Sequence, residues 1–200
     1  MLSRRCSFTL GRVISLSHTG HAMLHAPADD VDLEAWLFGL SDADYQACAT
    51  GHRGAGVFTD EQGRGMLNVE SIGGNLIVQH YRSVRADHGY VEMYSPASRI
   101  YLFHLVPVAG GVRWTLELTP IGAIASNFAC TVEVHLVPIV GRLARLTFLG
   151  HFLTRHVDEE ARGFAADITH KQLEEPDDLQ EHRQEPNPAV LRSSQRPVLG

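Results

Sequence analysis

The sequence predicts an α+β fold in which a curved antiparallel sheet of about six or seven strands wraps around a long C-terminal helix. Blocks of alternating apolar and polar residues, separated by turn signals, occupy the middle of the chain. One amphipathic segment follows over about residues 138–171, and a helix with one apolar face needs a sheet to cover it. Its apolar stripe, at steps of three and four, consists of Leu146, Leu149, Leu153, Val157, Ala161, Phe164 and Ile168.

Length and composition limit the protein classes to consider. The chain has 200 residues and is 44% hydrophobic, enough for one domain with a full core. A net charge of -6 argues against nucleic-acid binding, and the lack of about 18 consecutive apolar residues argues against a membrane span. The three separated cysteines form no disulfide or zinc pattern, which favours a cytoplasmic location. A homodimer remains possible, but no feature selects it.

Three regions are predicted along the chain. Residues 1–28 contain arginine, serine and histidine but few structural signals, so we expect a disordered leader or an over-extended start. A cleaved export signal is the less favoured alternative, because Arg12 and His18 interrupt the apolar run that such a signal needs. Residues 29–171 form the ligand-binding domain. Residues 172–200, rich in Glu, Gln, Pro and Arg, are expected to form a disordered tail.

The order of elements follows from caps and turns. Asp29 and Asp30 are predicted to cap one short helix, and Ser41 with Asp44 forms a capping box for a second. Strands are predicted over residues 65–71, 75–84, 90–94, 99–108, 112–119 and 128–137. Gly110 and Gly111 are expected to form a hairpin turn. Short connections favour an antiparallel meander.

Two pairs of side chains raise the question of a metal or a nucleophile. His156 and Glu160 stand four residues apart on the predicted helix and could share a metal ion, but a surface ion pair explains them equally well. Cys48 and His52 are also four apart, and a packed helix residue is the simpler interpretation of Cys48. We therefore predict no metal site and no cofactor.

Two stretches carry a family resemblance. The stretch VRWTLELTPIG (112–122) and the final helix HVDEEARGFAADITHK (156–171), in this order of elements, resemble the helix-grip fold of the START and polyketide-cyclase-like (SRPBCC) superfamily. The resemblance implies a hydrophobic ligand held between the sheet and the final helix. The catalytic domain of Rieske oxygenases is a distant relative, but its iron-binding histidines are absent from DADYQACATGH, where only His52 occurs.

The leading hypothesis is therefore a protein that binds a hydrophobic or aromatic small molecule, such as a lipid or polyketide. The alternative is a cyclase, dehydratase or hydrolase on the same scaffold, with His80 or His104 as general acid or base. Strand alternation predicts that both histidines project inward. The expected lining consists of Val78, His80, Met93, Leu102, His104, Trp114, Leu116, Phe128 and Val132 from the sheet, and Leu149, Phe152 and Leu153 from the helix.

Overall fold

The structure is a computed structural model that describes residues 14–146 and 149–174. The strands are β1 (Ile14–Leu24), β2 (His52–Asp60), β3 (Gly63–Ile72), β4 (Asn75–Asp87), β5 (Tyr90–Leu102), β6 (Val106–Pro120) and β7 (Ser126–Leu136). The helices are α1 (Leu33–Gly39), α2 (Asp42–Cys48), α3 (Pro138–Leu146) and α4 (Leu149–Ile168). A 3-10 turn, Ala28–Asp30, precedes α1, and a π-helical segment, Thr169–Glu174, follows α4.

All seven strands form one antiparallel sheet in the order β1-β7-β6-β5-β4-β3-β2. The chain starts at one edge of the sheet, reaches the other edge through α1 and α2, and returns as a meander from β2 to β7. The curved sheet packs around α4, whose most extensive strand contacts are with β1 and β7. The predicted α+β fold, with a sheet of six or seven strands around a C-terminal helix, is confirmed.

The N-terminal segment differs from its prediction. Residues 14–24 form β1, and all of them pair with β7, from Ile14 with Leu136 to Leu24 with Ser126. Interpreting residues 1–28 as a disordered leader is therefore wrong for this part of the segment. The serines and histidines of β1 hide its alternation, and the strand satisfies its backbone groups through a partner more than a hundred residues away. Residues 1–13 lie outside the described residues.

Several strand boundaries also differ. The sequence prediction missed β2, and it divided β5 in two where a bulge between Ser95 and Ser98 shifts the register. The turn between β5 and β6 lies at residues 103–105 rather than at Gly110 and Gly111, which are inside β6. A Cβ atom on Gly110 would lie 2.8 Å from Leu136 Cδ2, so this glycine permits close packing and does not form a turn.

The helix prediction is largely correct in its faces and less so in its ends. Asp32, not Asp29 or Asp30, caps α1 by accepting a hydrogen bond from the Ala35 N–H, whereas the predicted Ser41–Asp44 capping box is present at α2. The predicted single helix over 138–171 is divided into α3 and α4, with residues 147 and 148 outside the described residues. From Leu149 to Ile168 every predicted stripe residue is buried, which confirms the face of α4.

The C-terminal half of α4 is held by polar contacts as well as apolar ones. Trp36 Nε1 donates a 2.7 Å hydrogen bond to Asp167 Oδ2, and Lys171 Nζ lies 2.6 Å from Asp44 Oδ2. The helical path continues to Glu174, three residues beyond the predicted domain end. The predicted disordered tail otherwise falls on residues 175–200, which lie outside the described residues.

Candidate functional site

The residues predicted to line a cavity occupy three different environments. Most are buried on the inner face of the sheet or on α4, but Phe152 is 39% exposed and Val78 is only half-buried. The buried residues are Met93, Leu102, Trp114, Leu116, Phe128, Val132, Leu149 and Leu153. Among them, Val132, Leu149 and Leu153 border the small cavity between the sheet and α4.

The prediction that His80 and His104 project inward is wrong. In β4 the inward residues are Ile77, Gln79 and Tyr81, so His80 lies exposed on the opposite face. Both faces of β4 carry apolar residues, so alternation alone did not distinguish them. His104 lies in the exposed turn after β5 with φ 61°, because β5 ends at Leu102 and not at the predicted residue 108. Neither imidazole can act on a molecule held between the sheet and α4.

An apolar cavity does lie between the sheet and the first turns of α4. Its volume is about 20 Å³. Eight apolar side chains and two polar ones, Glu70 and Gln79, surround it. The apolar ones are Ile72, Ile77, Ile100, Val112, Val132, Val134, Leu149 and Leu153. A cavity of this size holds about one water molecule, so the inner face is closely packed.

A cluster of four buried ionisable side chains lies beside this cavity. His52, Glu70, His156 and Glu160 each offer one nitrogen or oxygen atom, and these atoms lie within 4.8 Å of one another. His52 Nε2 is 3.4 Å from Glu160 Oε1, and His156 Nε2 is 3.7 Å from Glu70 Oε2. All four residues are at most 6% exposed. Isolated buried charges are costly, so such a group requires mutual compensation or a ligand.

Three elements bring the cluster together. His52 is the first residue of β2, and Glu70 is near the end of β3. His156 and Glu160 are one turn apart on the inner face of α4. The inward face of β3 is unusually polar, since Asn68 and Glu70 are buried while Leu67 and Val69 are only half-buried. The sheet therefore places a carboxylate directly below the helix.

Further side chains hold the cluster in position. Tyr45 donates a 2.6 Å hydrogen bond from its hydroxyl to Glu70 Oε1, and Gln79 donates a 3.0 Å bond to Glu70 Oε2. The thiol of Cys130 lies 3.4 Å from Glu160 Oε2 and donates to it. The Tyr45 ring also stacks on the His52 imidazole, with centroids 3.8 Å apart and planes 5° from parallel. Hydrogen bonds fix both rings of this stack, since the Tyr45 hydroxyl bonds to Glu70 and His52 Nδ1 bonds to the Tyr45 carbonyl oxygen.

The cluster changes the proton affinities of its members. Burial opposes ionisation of Glu160, but the adjacent imidazoles of His52 and His156 outweigh it and lower the pKa of Glu160. Burial likewise opposes protonation of His52, yet contact with Glu160 and the charge of Glu70 raise its pKa. Burial, with Glu70 and Glu160 nearby, raises the pKa of Tyr45 well above its ordinary value, so its hydroxyl remains a donor.

Replacing Tyr45 by phenylalanine is expected to destabilise the fold by about 1.5–3 kcal/mol, because the buried Glu70 carboxylate then loses a donor. Urea unfolding followed by circular dichroism, with EDTA present, measures this change. Tyr101 is the matched control, since it is half-buried and its hydroxyl forms no hydrogen bond with the described residues. Equal stability losses in Y45F and Y101F would contradict the role assigned to the Tyr45 hydroxyl.

An open cleft lies outside the cluster, with a volume of about 630 Å³. Gly51 and Ser71 border it from the sheet side, and Arg155, His156 and Arg162 border it from α4. His156 is thus a member of the buried cluster that also lines the cleft. A Cβ atom on Gly51 would lie 2.7 Å from His156 Nδ1, so glycine at this position permits the close approach of the imidazole.

Sequence reasoning found only half of this cluster. The spacing of His156 and Glu160 was visible, but the surface ion pair that seemed an equal explanation is wrong because both residues are buried. Their partners, His52 and Glu70, come from strands at the far edge of the sheet. The one local signal was the polar inward face of β3, which is recognisable only once the direction of that face is known.

None of the helices in the described part of the chain is long and apolar enough to span a membrane. No protein-family model matches the chain, and no curated protein sequence matches it.

Solved structures, in contrast, share the architecture. A protein from Thermus thermophilus is 12% identical to this chain and aligns with a TM-score of 0.50. The alignment covers 77% of this chain and 97% of the Thermus protein. A conserved protein from Geobacillus kaustophilus is 11% identical with a TM-score of 0.54, and the coverage is 78% and 96%. The di-domain ARO/CYC StfQ from the steffimycin biosynthetic pathway is 9% identical with a TM-score of 0.52, over 80% of this chain and 52% of that one.

These similarities concern the fold. The chain has the predicted helix-grip fold, a curved antiparallel sheet around a long C-terminal helix. At this level of identity the function must come from the site and not from the fold.

Proposed function

We propose that the protein binds a small apolar or aromatic molecule between the sheet and the first turns of α4. The observation that carries the proposal is the composition of the cavity there, which is lined by eight apolar side chains together with Glu70 and Gln79. Pockets for small molecules are mostly apolar and have a few polar groups that fix orientation. The resemblance to helix-grip proteins implies the same location.

Binding at this place requires the cavity to enlarge, since about 20 Å³ holds no more than one water molecule. Leu149 and Leu153, which close the cavity, lie in the first two turns of α4. The other end of α4 is held to α1 and α2 through Asp167 and Lys171. We therefore expect the first turns of α4 to move away from the sheet while the rest of the helix stays in place.

Titration with the neutral fluorophore N-phenyl-1-naphthylamine tests the proposal. The wild-type protein is expected to bind it saturably, and Val134→Phe, which fills the cavity, should weaken binding about tenfold or more, a change of about 1.4 kcal/mol. Ile124→Phe is the control, because Ile124 is 79% exposed and lies away from the cavity. Equal affinity in the wild type and V134F would show that the probe binds elsewhere.

A second variant keeps the test decisive if V134F does not fold. Leu153→Ala removes side-chain volume from the helix side of the cavity and should tighten binding of the same probe, provided that circular dichroism shows a folded protein. An apolar cavity created in this way accepts apolar ligands. Unchanged affinity in a folded L153A protein would contradict the proposed location.

A further inference from the structure

The geometry points to a binding site for one divalent transition-metal ion, of the Zn²⁺ type, formed by His52, Glu70, His156 and Glu160. Each residue contributes one donor atom, and the four atoms come from β2, β3 and two successive turns of α4. Two imidazoles and two carboxylates are among the ligands that Zn²⁺ takes in proteins.

The spacing of the donors suits a single ion. Bonds of about 2.0–2.2 Å in a tetrahedron place neighbouring donors about 3.3–3.6 Å apart. The His52–Glu160 pair, at 3.4 Å, already has this spacing, and the His156–Glu70 pair, at 3.7 Å, nearly has it. The largest separation in the cluster is within 4.8 Å, so side-chain adjustments of about 1 Å would complete the coordination.

The two imidazoles present unused nitrogens to this space. His52 Nε2 and His156 Nε2 are both buried and form no hydrogen bond with residues 14–146 or 149–174. Buried polar atoms without partners are uncommon in native proteins and call for an explanation. His52 Nδ1 lies close to the carbonyl oxygen of Tyr45, which can only accept, so Nδ1 carries the hydrogen. The Nε2 atom then has a free lone pair directed at the cluster, as a metal ligand requires.

An outer layer of hydrogen bonds supports the carboxylates. Glu70 accepts bonds from Tyr45 and Gln79, and Glu160 accepts one from the Cys130 thiol. Metal ligands in proteins have partners of this kind, which orient the donor atoms. The Cys130 thiol therefore orients the Glu160 carboxylate and is not one of the four donor groups.

A divalent cation would balance the charge of the cluster. Two buried carboxylates carry two negative charges, and a divalent cation neutralises both while the imidazoles remain neutral. Two imidazolium groups would give the same net charge, but each would then require an acceptor for its Nε2 hydrogen. Among the described residues the nearby carboxylate oxygens, Glu160 Oε1 at 3.4 Å from His52 Nε2 and Glu70 Oε2 at 3.7 Å from His156 Nε2, are not in hydrogen-bond geometry.

The character of the site follows from its closure. Four protein donors at most 6% exposed leave no position for a reacting water, which is typical of a structural ion rather than a catalytic one. The ion would join α4 to the sheet, so it should stabilise the fold. An entry path exists through the open cleft, because His156 borders both the cleft and the cluster.

Metal titration of the full chain, stripped with EDTA, tests the inference. Co²⁺ is the spectroscopic probe, and elemental analysis after Zn²⁺ loading gives the stoichiometry. We expect one ion per chain, visible cobalt bands of a four-coordinate nitrogen and oxygen site, and no thiolate charge-transfer band. Zn²⁺ should also raise the melting temperature of the wild-type protein.

Variants assign the ion to these residues. His156→Gln and Glu160→Gln should each weaken Co²⁺ binding by more than the roughly 10–100-fold that the loss of an outer hydrogen-bond partner costs. His151→Gln is the matched control, since His151 is exposed on the same helix. It should keep the wild-type affinity, the cobalt spectrum and the Zn²⁺ effect on melting.

Three results would overturn the site: no binding of either ion to the wild-type protein, a cobalt spectrum with thiolate character, or unchanged affinity in folded H156Q and E160Q. If both variants fail to fold, the wild-type stoichiometry, spectrum and melting shift decide alone. The naphthylamine titration is independent of this experiment, because the cavity variants V134F and L153A leave the four donor residues intact. Each proposal can therefore fail without the other.

Discussion

Replacing Phe164 by alanine is expected to lower the free energy of unfolding by about 3–5 kcal/mol, the range for removing a buried aromatic side chain. Phe164 has no exposed surface, and its ring contacts Trp36, Tyr45, His52 and Trp114 at centroid distances of 5.1–6.3 Å. It thus joins α1, α2 and the sheet to α4, directly beside the His52 imidazole. Urea unfolding at fixed pH, with EDTA present, measures the loss.

Phe152→Ala is the control for this prediction. Phe152 lies on the same helix and contacts Gly73 but is 39% exposed, so its removal should cost about 1 kcal/mol. Similar losses in F164A and F152A would show that Phe164 does not occupy the centre of the core. A shift of the His52 imidazole resonances in the NMR spectrum of F164A would further support the contact between Phe164 and His52.

A second large effect is expected at Gly163, where α4 passes the end of α2. A Cβ atom there would clash with the carbonyl oxygen of Cys48, and a backbone atom cannot rotate away as a side chain can. Gly163→Ala should therefore lower the free energy of unfolding by an amount at the upper end of the roughly 1–3 kcal/mol that overpacking costs. The same unfolding experiment measures it.

The opposite sign is expected at Gly150 on the same helix. A Cβ atom there meets no atom of the described part of the chain within 4 Å, so Gly150→Ala should stabilise the protein by a few tenths to about 1 kcal/mol through helix propensity. A stabilising G163A substitution would mean that α4 and α2 are further apart than the structure shows. Opposite signs for one substitution on one helix would separate close packing from intrinsic propensity.

The two proposals place different chemistry in the first turns and in the middle of α4. Its first turns face an apolar cavity, and its later turns carry His156 and Glu160 toward the strands. Glu70 belongs to both places, because its side chain lines the cavity and its carboxylate lies in the cluster. A metal ion would fix the later turns, and the first turns would remain the part that opens for a ligand.

The sequence predicted only one of the two pairs of residues in the buried cluster. One helical turn joins His156 and Glu160, so their pairing could be seen in the sequence. His52 and Glu70 reach the same place only because the meander brings β2 and β3 under α4, at sequence separations of about one hundred residues and close to ninety. No local pattern reports contacts of that range, and the interpretation of His156 and Glu160 therefore stopped at a surface ion pair.

Patterns of period two and 3.6 were sufficient for the fold class, the buried stripe of α4 and the order of most strands, because they report which local face is apolar. They were insufficient for β1, whose alternation is masked by serine and histidine, and for His80, where both faces of β4 are apolar. Strand pairing and helix packing decide which face of a strand turns inward. They also decide which distant residues form hydrogen bonds with the polar groups on that face. The tertiary structure alone decided the identity of the buried polar residues, because their cost and their compensation are set by neighbours far away in the chain.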